Sequence, residues 1–261
     1  MLQLPGSIFV APDTETLFDA LGEALTAAAI GAVEDRGVFH VALSGGGTPE
    51  PFYVRLVTDP KFRALPWKQT HVWIVDERQV PEDHDKSNVK MIREALTDHV
   101  GMPARQVHAM PVLADDPAGE YEATLAEAFG ITAPQADAVD GYAGPYPVLD
   151  FILLGMGGDC HTASLFPESP ALGSTRWIDT NDGEKVVPPA RLTMTYPLIN
   201  HARQLAVLAV GEGKADALRR VSDQLATGSP DLQQVPISGI DPEPVNGGEL
   251  TWFLDQPAAG A

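Results

Sequence analysis

The chain contains one cysteine, few basic residues and no uninterrupted hydrophobic run long enough to cross a bilayer. A single cysteine, Cys160, cannot form an intrachain disulfide, so a disulfide framework is excluded and a reducing compartment is expected. With 17 Lys and Arg against 36 Asp and Glu, the formal net charge of −19 repels nucleic acids and anionic membranes. The amino terminus also lacks a basic leader followed by a sustained apolar stretch. These features predict a cytoplasmic protein with no nucleic-acid or membrane partner.

Metal-binding patterns are missing as well. None of the seven histidines pairs with another at His-x-x-x-His spacing on a predicted helix. His84 lies between Asp83 and Asp85, which is more typical of a solvated loop than of a metal site. The sequence therefore predicts no metal and no cofactor.

The chain contains enough apolar residues to form a substantial core. Its 261 residues are 44% hydrophobic, and its 24 Gly and 23 Pro fall between short apolar runs without forming a linker or a low-complexity tract. No internal repeat is visible. These features predict one domain that spans residues 1–261.

Strand patterns alternate with helical ones along the chain. The strand runs are apolar and rich in β-branched residues, as is typical of strands buried on both faces, and the helical runs begin at capping residues. This alternation predicts an α/β fold with a mainly parallel sheet and helices on both faces. The predicted strands are residues 38–43, 70–75, 148–154 and 204–210, with 252–255 as a candidate last strand. Asp13 is predicted to cap a helix over 14–36, and Thr48 to cap a second helix with Pro49 in its first turn. The other predicted helices are 87–99, 118–129 and 214–225.

Ligands of open parallel sheets bind at the carboxyl ends of strands, so the loops that follow the predicted strands are the candidate sites. The first loop, Ser-Gly-Gly-Gly-Thr at 44–48, leads into a helix, and its backbone can approach an anion at the helix N-terminus. It lacks the Gly-Lys-Ser/Thr ending of a P-loop, so a plain glycine turn remains an alternative. The second loop, Asp76-Glu77-Arg78, places two carboxylates and an arginine at a buried strand end, with a charged turn holding an internal ion pair as the alternative.

The third loop, residues 155–162, combines three glycines with an acid and an imidazole. Asp159 and His161 lie where a ligand would bind, whereas a dinucleotide fingerprint would need a glycine in place of Cys160. A lone histidine is more often structural than catalytic. The position of His161 on a glycine-rich loop at a strand end nevertheless favours catalysis.

Three segments, ALSGGGTP at 42–49, VDERQVPEDHDKSN at 75–88 and GMGGDCHTASLFP at 155–167, resemble the ordered signatures of the 6-phosphogluconolactonase family. PPARLTMTYPLIN, GEGK and LTWFLDQPAA agree as well, so the resemblance covers nearly the whole chain. It implies a Rossmann-like domain that hydrolyses 6-phospho-D-glucono-1,5-lactone to 6-phospho-D-gluconate in the oxidative pentose phosphate pathway.

The sequence leaves two other functions open. Related glucosamine-6-phosphate deaminases and isomerases share a similar aspartate-glutamate pair and glycine-histidine loop, but typically have tyrosine where this chain has Arg78. A catalytically weak sugar-phosphate binder is the second alternative, because the family normally has glycine at the position of Cys160.

The resemblance also implies residue roles. His161 suits proton transfer from water and back to the ring oxygen, and Arg78 suits stabilisation of the substrate at its carbonyl oxygen or phosphate. Asp159 either orients the histidine or supports its loop. The only predicted partner is the small sugar-phosphate lactone, and the chain is expected to be a monomer. The residues predicted to bind the substrate or its phosphate are Ser44, Gly45, Gly46, Thr48, Asp76, Arg191 and Lys214.

Overall fold

A computed structural model of the chain describes residues 2–133, 144–183, 186–242 and 247–260. The strands are β1 (Ser7–Ala11), β2 (Phe39–Leu43), β3 (Thr70–Ile74), β4 (Asp76–Arg78), β5 (Val107–His108), β6 (Phe151–Gly155), β7 (Ile178–Asp182), β8 (Ala190–Met194), β9 (Gln204–Ala209) and β10 (Glu249–Asp255). The helices are α1 (Thr14–Arg36), α2 (Glu50–Thr58), α3 (Asn88–Ala95), α4 (Pro117–Phe129), α5 (Tyr196–Ile199), α6 (Ala215–Ala226) and α7 (Gln256–Ala259).

Seven strands form one parallel sheet in the order β1-β10-β9-β6-β2-β3-β5. The predicted α/β fold with a mainly parallel sheet is thus confirmed, and every residue of the central strand β2 is buried. From β2 the chain continues to β3 on one side, whereas from β6 it continues to β9 on the other. The carboxyl ends of β2 and β6 therefore flank the point where the strand order reverses, which is where such sheets bind ligands. A single domain over 1–261 remains a prediction.

A second, antiparallel sheet of three strands, β4-β8-β7, is not predicted by the sequence. Only Val75 separates β3 from β4, so the chain passes from the parallel sheet into the small sheet within one residue. The charged residues of β4 therefore lie at the carboxyl end of β3. Its strands β4 and β7 are rich in polar residues, so they lack the apolar pattern from which strands are predicted.

The predicted helix boundaries hold closely, with two differences. Asp13 caps α1 through Thr16 N and Gly37 ends it at a φ of 78°, as the sequence predicts. The N-cap of α2 is Pro49 instead of the predicted Thr48. The helix predicted over 87–99 ends at Ala95 and is followed by a separate 3-10 turn.

Helix α1 is long and apolar enough to span a membrane by length and composition alone. Leu17, Leu21, Leu25 and Ala29 are nevertheless buried at helical spacing, and they belong to the hydrophobic core. This burial is the pattern of a core helix that covers a sheet.

Three histidines pack together around Trp73, away from the predicted site residues. His108 stacks on Trp73 at a centroid distance of 3.8 Å, and His71 Nδ1 lies 2.9 Å from His108 Nε2. Trp73 Nε1 donates to His40 Nδ1 at 3.1 Å. Burial, and then the neighbouring charges, lower the pKa of His40 to about 3 and that of His108 to about 4. These two histidines are therefore neutral in the folded protein.

The neutral histidines make stability depend on pH. An unfolded histidine titrates near pH 6.5, so between about pH 6.5 and 4 the unfolded chain binds more protons than the folded one. The free energy of unfolding should therefore fall as the pH is lowered through this window. Thermal unfolding of His40→Asn should show a shallower pH slope than the parent, while the exposed His84→Asn should match the parent. An unchanged slope for His40→Asn would contradict this explanation.

Candidate active site

A cavity of about 240 Å³ opens where the strand order reverses, at the carboxyl ends of β2 and β6. It brings together residues from all three candidate loops and from the start of α6. Asp159 and Arg191 are the two predicted site residues outside its lining. A larger open groove of about 1230 Å³ beside β1 and α6 contains none of the predicted site residues. The predicted residues that line the smaller cavity are Ser44, Gly45, Gly46, Thr48, Asp76, Arg78, His161 and Lys214.

The glycine turn after β2 is held in a shape that requires glycine. Gly46 has a φ of 107°, and a Cβ at Gly45 would collide with the carboxamide of Asn88. Tyr53 donates its hydroxyl to Ser44 O at 2.7 Å, which fixes the turn to α2. The N-cap of α2 makes no side-chain capping bond, but Glu50 N donates to Gly46 O at 3.4 Å and Pro51 has no N–H. The amides of the turn, and not the first amides of the helix, are therefore the donors that an anion would meet.

The second loop does not hold the internal ion pair that the sequence left open. Glu77 is 2% exposed and accepts hydrogen bonds from the amides of Arg78, Asn88 and Val89 and from the hydroxyl of Ser87. Burial raises the pKa of Glu77, against the opposing effect of these amides. Glu77 therefore anchors the start of α3. Arg78 instead donates to Lys86 O at 2.7 Å.

In the third loop, His161 Nδ1 lies 2.5 Å from Asp159 Oδ1, which also accepts from the His161 amide at 3.2 Å. Burial alone would raise the pKa of Asp159, but the hydrogen bonds and charge of His161 outweigh it, and the pKa falls to about 2. A Cβ at Gly157 would collide with both partners. Gly157 also lines the cavity, although it is not among the residues predicted to bind the substrate. Its position in the glycine-rich loop is the sequence signal that could have identified it.

Cys160 adopts the left-handed conformation, with a φ of 72°. Its amide donates to Gly157 O at 3.1 Å, and its carbonyl accepts from Ile237 N at 3.0 Å. The side chain is fully buried, with Sγ 3.6 Å from Ala217 O on α6, and burial raises the pKa of the thiol. Cys160 is therefore a packing residue in a strained turn, directed at α6 instead of the imidazole.

This geometry predicts the effect of replacing Cys160. Cys160→Gly relieves a left-handed conformation that costs a side-chain-bearing residue about 1 to 2 kcal/mol, but it also removes the buried thiol and adds unfolded-state entropy. Its stability should lie within about 1 kcal/mol of the parent, and kcat should rise modestly. Cys160→Ala keeps the strain without the thiol, so it should be less stable than Cys160→Gly by about 1 kcal/mol.

Chemical denaturation and kcat of the three proteins would test this expectation. An alanine variant that is more stable than the glycine variant would show that the turn carries no strain. If the parent is inactive and Cys160→Gly is active, the cysteine side chain displaces His161.

Two basic residues complete the surroundings of the cavity. Lys214 precedes α6, and its Nζ donates to Met156 O at 2.6 Å in the histidine loop. Arg191 on β8 pairs with Arg78 on β4 across the small sheet, and it donates to the carbonyl oxygens of Pro188 and Ala190. Burial, and then repulsion by Arg78, lower the pKa of Arg191. Arg78 and Arg191 lie opposite each other on neighbouring strands, and a bound anion would reduce the repulsion between their positive charges.

The chain is similar to known proteins in sequence and in fold. Residues 12–252 match the family model described as glucosamine-6-phosphate isomerases/6-phosphogluconolactonase. A protein of Synechocystis sp. named 6-phosphogluconolactonase is 42% identical over 230 residues, which cover 87% of this chain and 86% of that protein. One of Mycobacterium tuberculosis with the same name is 37% identical over 257 residues, 98% of each. The crystal structure of 6-phosphogluconolactonase from Leishmania guyanensis superposes with a TM-score of 0.81 at 27% identity, covering 98% of both chains.

Proposed function

This chain belongs to the glucosamine-6-phosphate isomerase/6-phosphogluconolactonase family, and we propose that His161, Arg78 and Lys214 divide the work of its reaction, the hydrolysis of 6-phospho-D-glucono-1,5-lactone to 6-phospho-D-gluconate. The observation that carries this proposal is the contact between His161 and Asp159 at the edge of the cavity. Monomeric state, cytoplasmic location and the absence of nucleic-acid, membrane and cofactor partners remain predictions.

His161 activates the attacking water. Because the pKa of Asp159 is about 2, its carboxylate is ionised at neutral pH and can only accept, so the proton of the imidazole lies on Nδ1. Nε2 then has a lone pair with which to take a proton from water and later return it to the departing ring oxygen. Such proton transfer contributes about 10² to 10⁴ in rate. Asp159 orients the ring and stabilises the imidazolium that forms.

Arg78 stabilises the negative charge of the substrate at its carbonyl oxygen or phosphate. One guanidinium nitrogen is held by Lys86 O, which fixes the side chain while other N–H groups remain for the cavity that Arg78 lines. A donor already in place at the developing oxyanion costs no reorganisation during the reaction.

Lys214 and the glycine turn hold the phosphate. Lys214 lines the same cavity as the glycine turn, and Arg191 adds positive charge next to Arg78. A net charge of −19 does not prevent this, because salt screens distant charges beyond about 8 to 10 Å. The local pocket therefore attracts a dianion in an acidic protein.

A comparison of two substrates tests the proposed reaction. The purified protein should accelerate the opening of freshly generated 6-phosphogluconolactone above the rate in buffer, and it should release no ammonia from glucosamine 6-phosphate. Ammonia release without lactone opening would instead support the deaminase alternative. Binding of 6-phosphogluconate without either activity would support the weak sugar-phosphate binder.

A further inference from the structure

The carboxylate of Asp76 is held by a side chain from a different loop. Asp76 begins β4, is 9% exposed and lines the cavity. Its Oδ2 accepts a hydrogen bond of 2.6 Å from the hydroxyl of Ser164, which lies 88 residues further along the chain. Ser164 is 1% exposed, so this bond is shielded from water.

Ser164 is itself fixed through its backbone. Its amide donates to Thr193 Oγ1 at 3.1 Å, and its carbonyl accepts from Asn181 Nδ2 at 2.7 Å. Thr193 is also the residue that pairs with Asp76 between β8 and β4. The preceding residue, Ala163, has a φ of 50°, a conformation that the surrounding contacts must enforce. The serine hydroxyl is therefore presented to Asp76 by a rigid backbone.

This hydrogen bond decides which carboxylate oxygen meets the substrate. A serine hydroxyl has one proton to donate, and Ser164 gives it to Oδ2, which leaves Oδ1 of Asp76 as the oxygen available in the cavity. A carboxylate oxygen accepts hydrogen bonds from sugar hydroxyls. Ser164 also follows His161 by three residues, just after the 155–162 loop, so the bond ties the end of the proton-transfer loop to the strand that carries Asp76 and Arg78.

We propose that Ser164 is a positioning residue that aims Asp76 Oδ1 at a ring hydroxyl of the sugar and fixes the histidine loop relative to β4. The proposal rests on the proposed function, because the sugar hydroxyls belong to that substrate. Without the serine hydroxyl, Oδ2 loses its partner and the carboxylate rotates away from the substrate. Binding of the phosphate end does not involve Ser164.

The test compares Ser164→Ala with a matched control, Ser222→Ala. Ser222 is also a buried serine, at 9% exposure, but its hydroxyl accepts from Gln3 N and lies outside the cavity. Ser164→Ala should lower kcat/KM for the lactone at least about 10-fold, the factor for losing one hydrogen bond to a charged group. Ser222→Ala should stay within about threefold of the parent, and inhibition by inorganic phosphate should be unchanged in both variants.

A double-mutant cycle separates positioning from a merely structural role. If Ser164 acts through Asp76, then Ser164→Ala should have no further effect on kcat/KM in an Asp76→Ala background. A full additional loss there, or a Ser164→Ala protein within threefold of the parent, would overturn the proposal. Should Ser164→Ala fail to fold, Ser164→Cys serves instead, because its thiol is only a weak donor and should give the same loss. A parent that does not open the lactone would contradict the proposed function itself, which distinguishes the two failures.

Discussion

His161→Ala should lower kcat for lactone hydrolysis by at least about 10²-fold while leaving the affinity for 6-phosphogluconate nearly unchanged. The substitution removes the group that takes a proton from water, but it removes no contact to the phosphate. Because the imidazole is 28% exposed at the cavity edge, its loss should leave the fold intact. The loss should therefore appear in kcat, with Kd for the product preserved.

Asp159→Asn should cause a partial loss of the same activity. An amide can donate as well as accept, so it no longer fixes the imidazole proton on Nδ1, and kcat should fall although the histidine is present. Steady-state kinetics of both variants, with the exposed His84→Ala as control, would measure these losses. Near-normal turnover of His161→Ala would remove His161 from the mechanism.

Lys214→Ala should weaken the binding of 6-phosphogluconate by about 1.5 to 3 kcal/mol, which is the contribution of a charge-assisted hydrogen bond. Lys214 lines the cavity, and its ammonium is already oriented by Met156 O. Arg191→Ala should weaken binding as well, but to a smaller extent, because Arg191 lies outside the cavity lining and acts beside Arg78.

Titration calorimetry with 6-phosphogluconate measures these affinities directly. Ala in place of the exposed Lys68 removes a positive charge away from the cavity and should leave Kd unchanged. If the Lys214 and Arg191 variants both retain the parent affinity, the proposed phosphate pocket is wrong.

The parallel sheet was predictable because its central strands are apolar on both faces, as in β2, β6 and β9. The small antiparallel sheet was not, since β4 is a short charged segment that becomes a strand only through pairing with β8, more than a hundred residues away. Likewise, β1 is five residues long and forms through pairing with β10 at the other end of the chain. Local sequence patterns do not contain such long-range pairings.

The candidate site shows the same difference between local sequence patterns and long-range contacts. That His161, Arg78 and the glycine turn line one cavity was predictable, because each belongs to a segment that follows a strand, where the carboxyl ends of a parallel sheet converge. The contacts of Ser164 and Asn88 with Asp76 were not predictable, because Asp76 belongs to another segment of the chain. The backbone angle of Cys160 was left open by the sequence, and the structure gives it as left-handed.

Opening of 6-phosphogluconolactone by proton transfer through His161 can be followed directly in solution. ³¹P nuclear magnetic resonance of freshly generated lactone follows the substrate and 6-phosphogluconate separately, without a coupling enzyme. The lactone signal should convert to the acid signal at a rate proportional to the concentration of parent protein, and His161→Ala at equal concentration should barely exceed the rate in buffer. Conversion by the parent at the buffer rate, or equally fast conversion by His161→Ala, would contradict this mechanism.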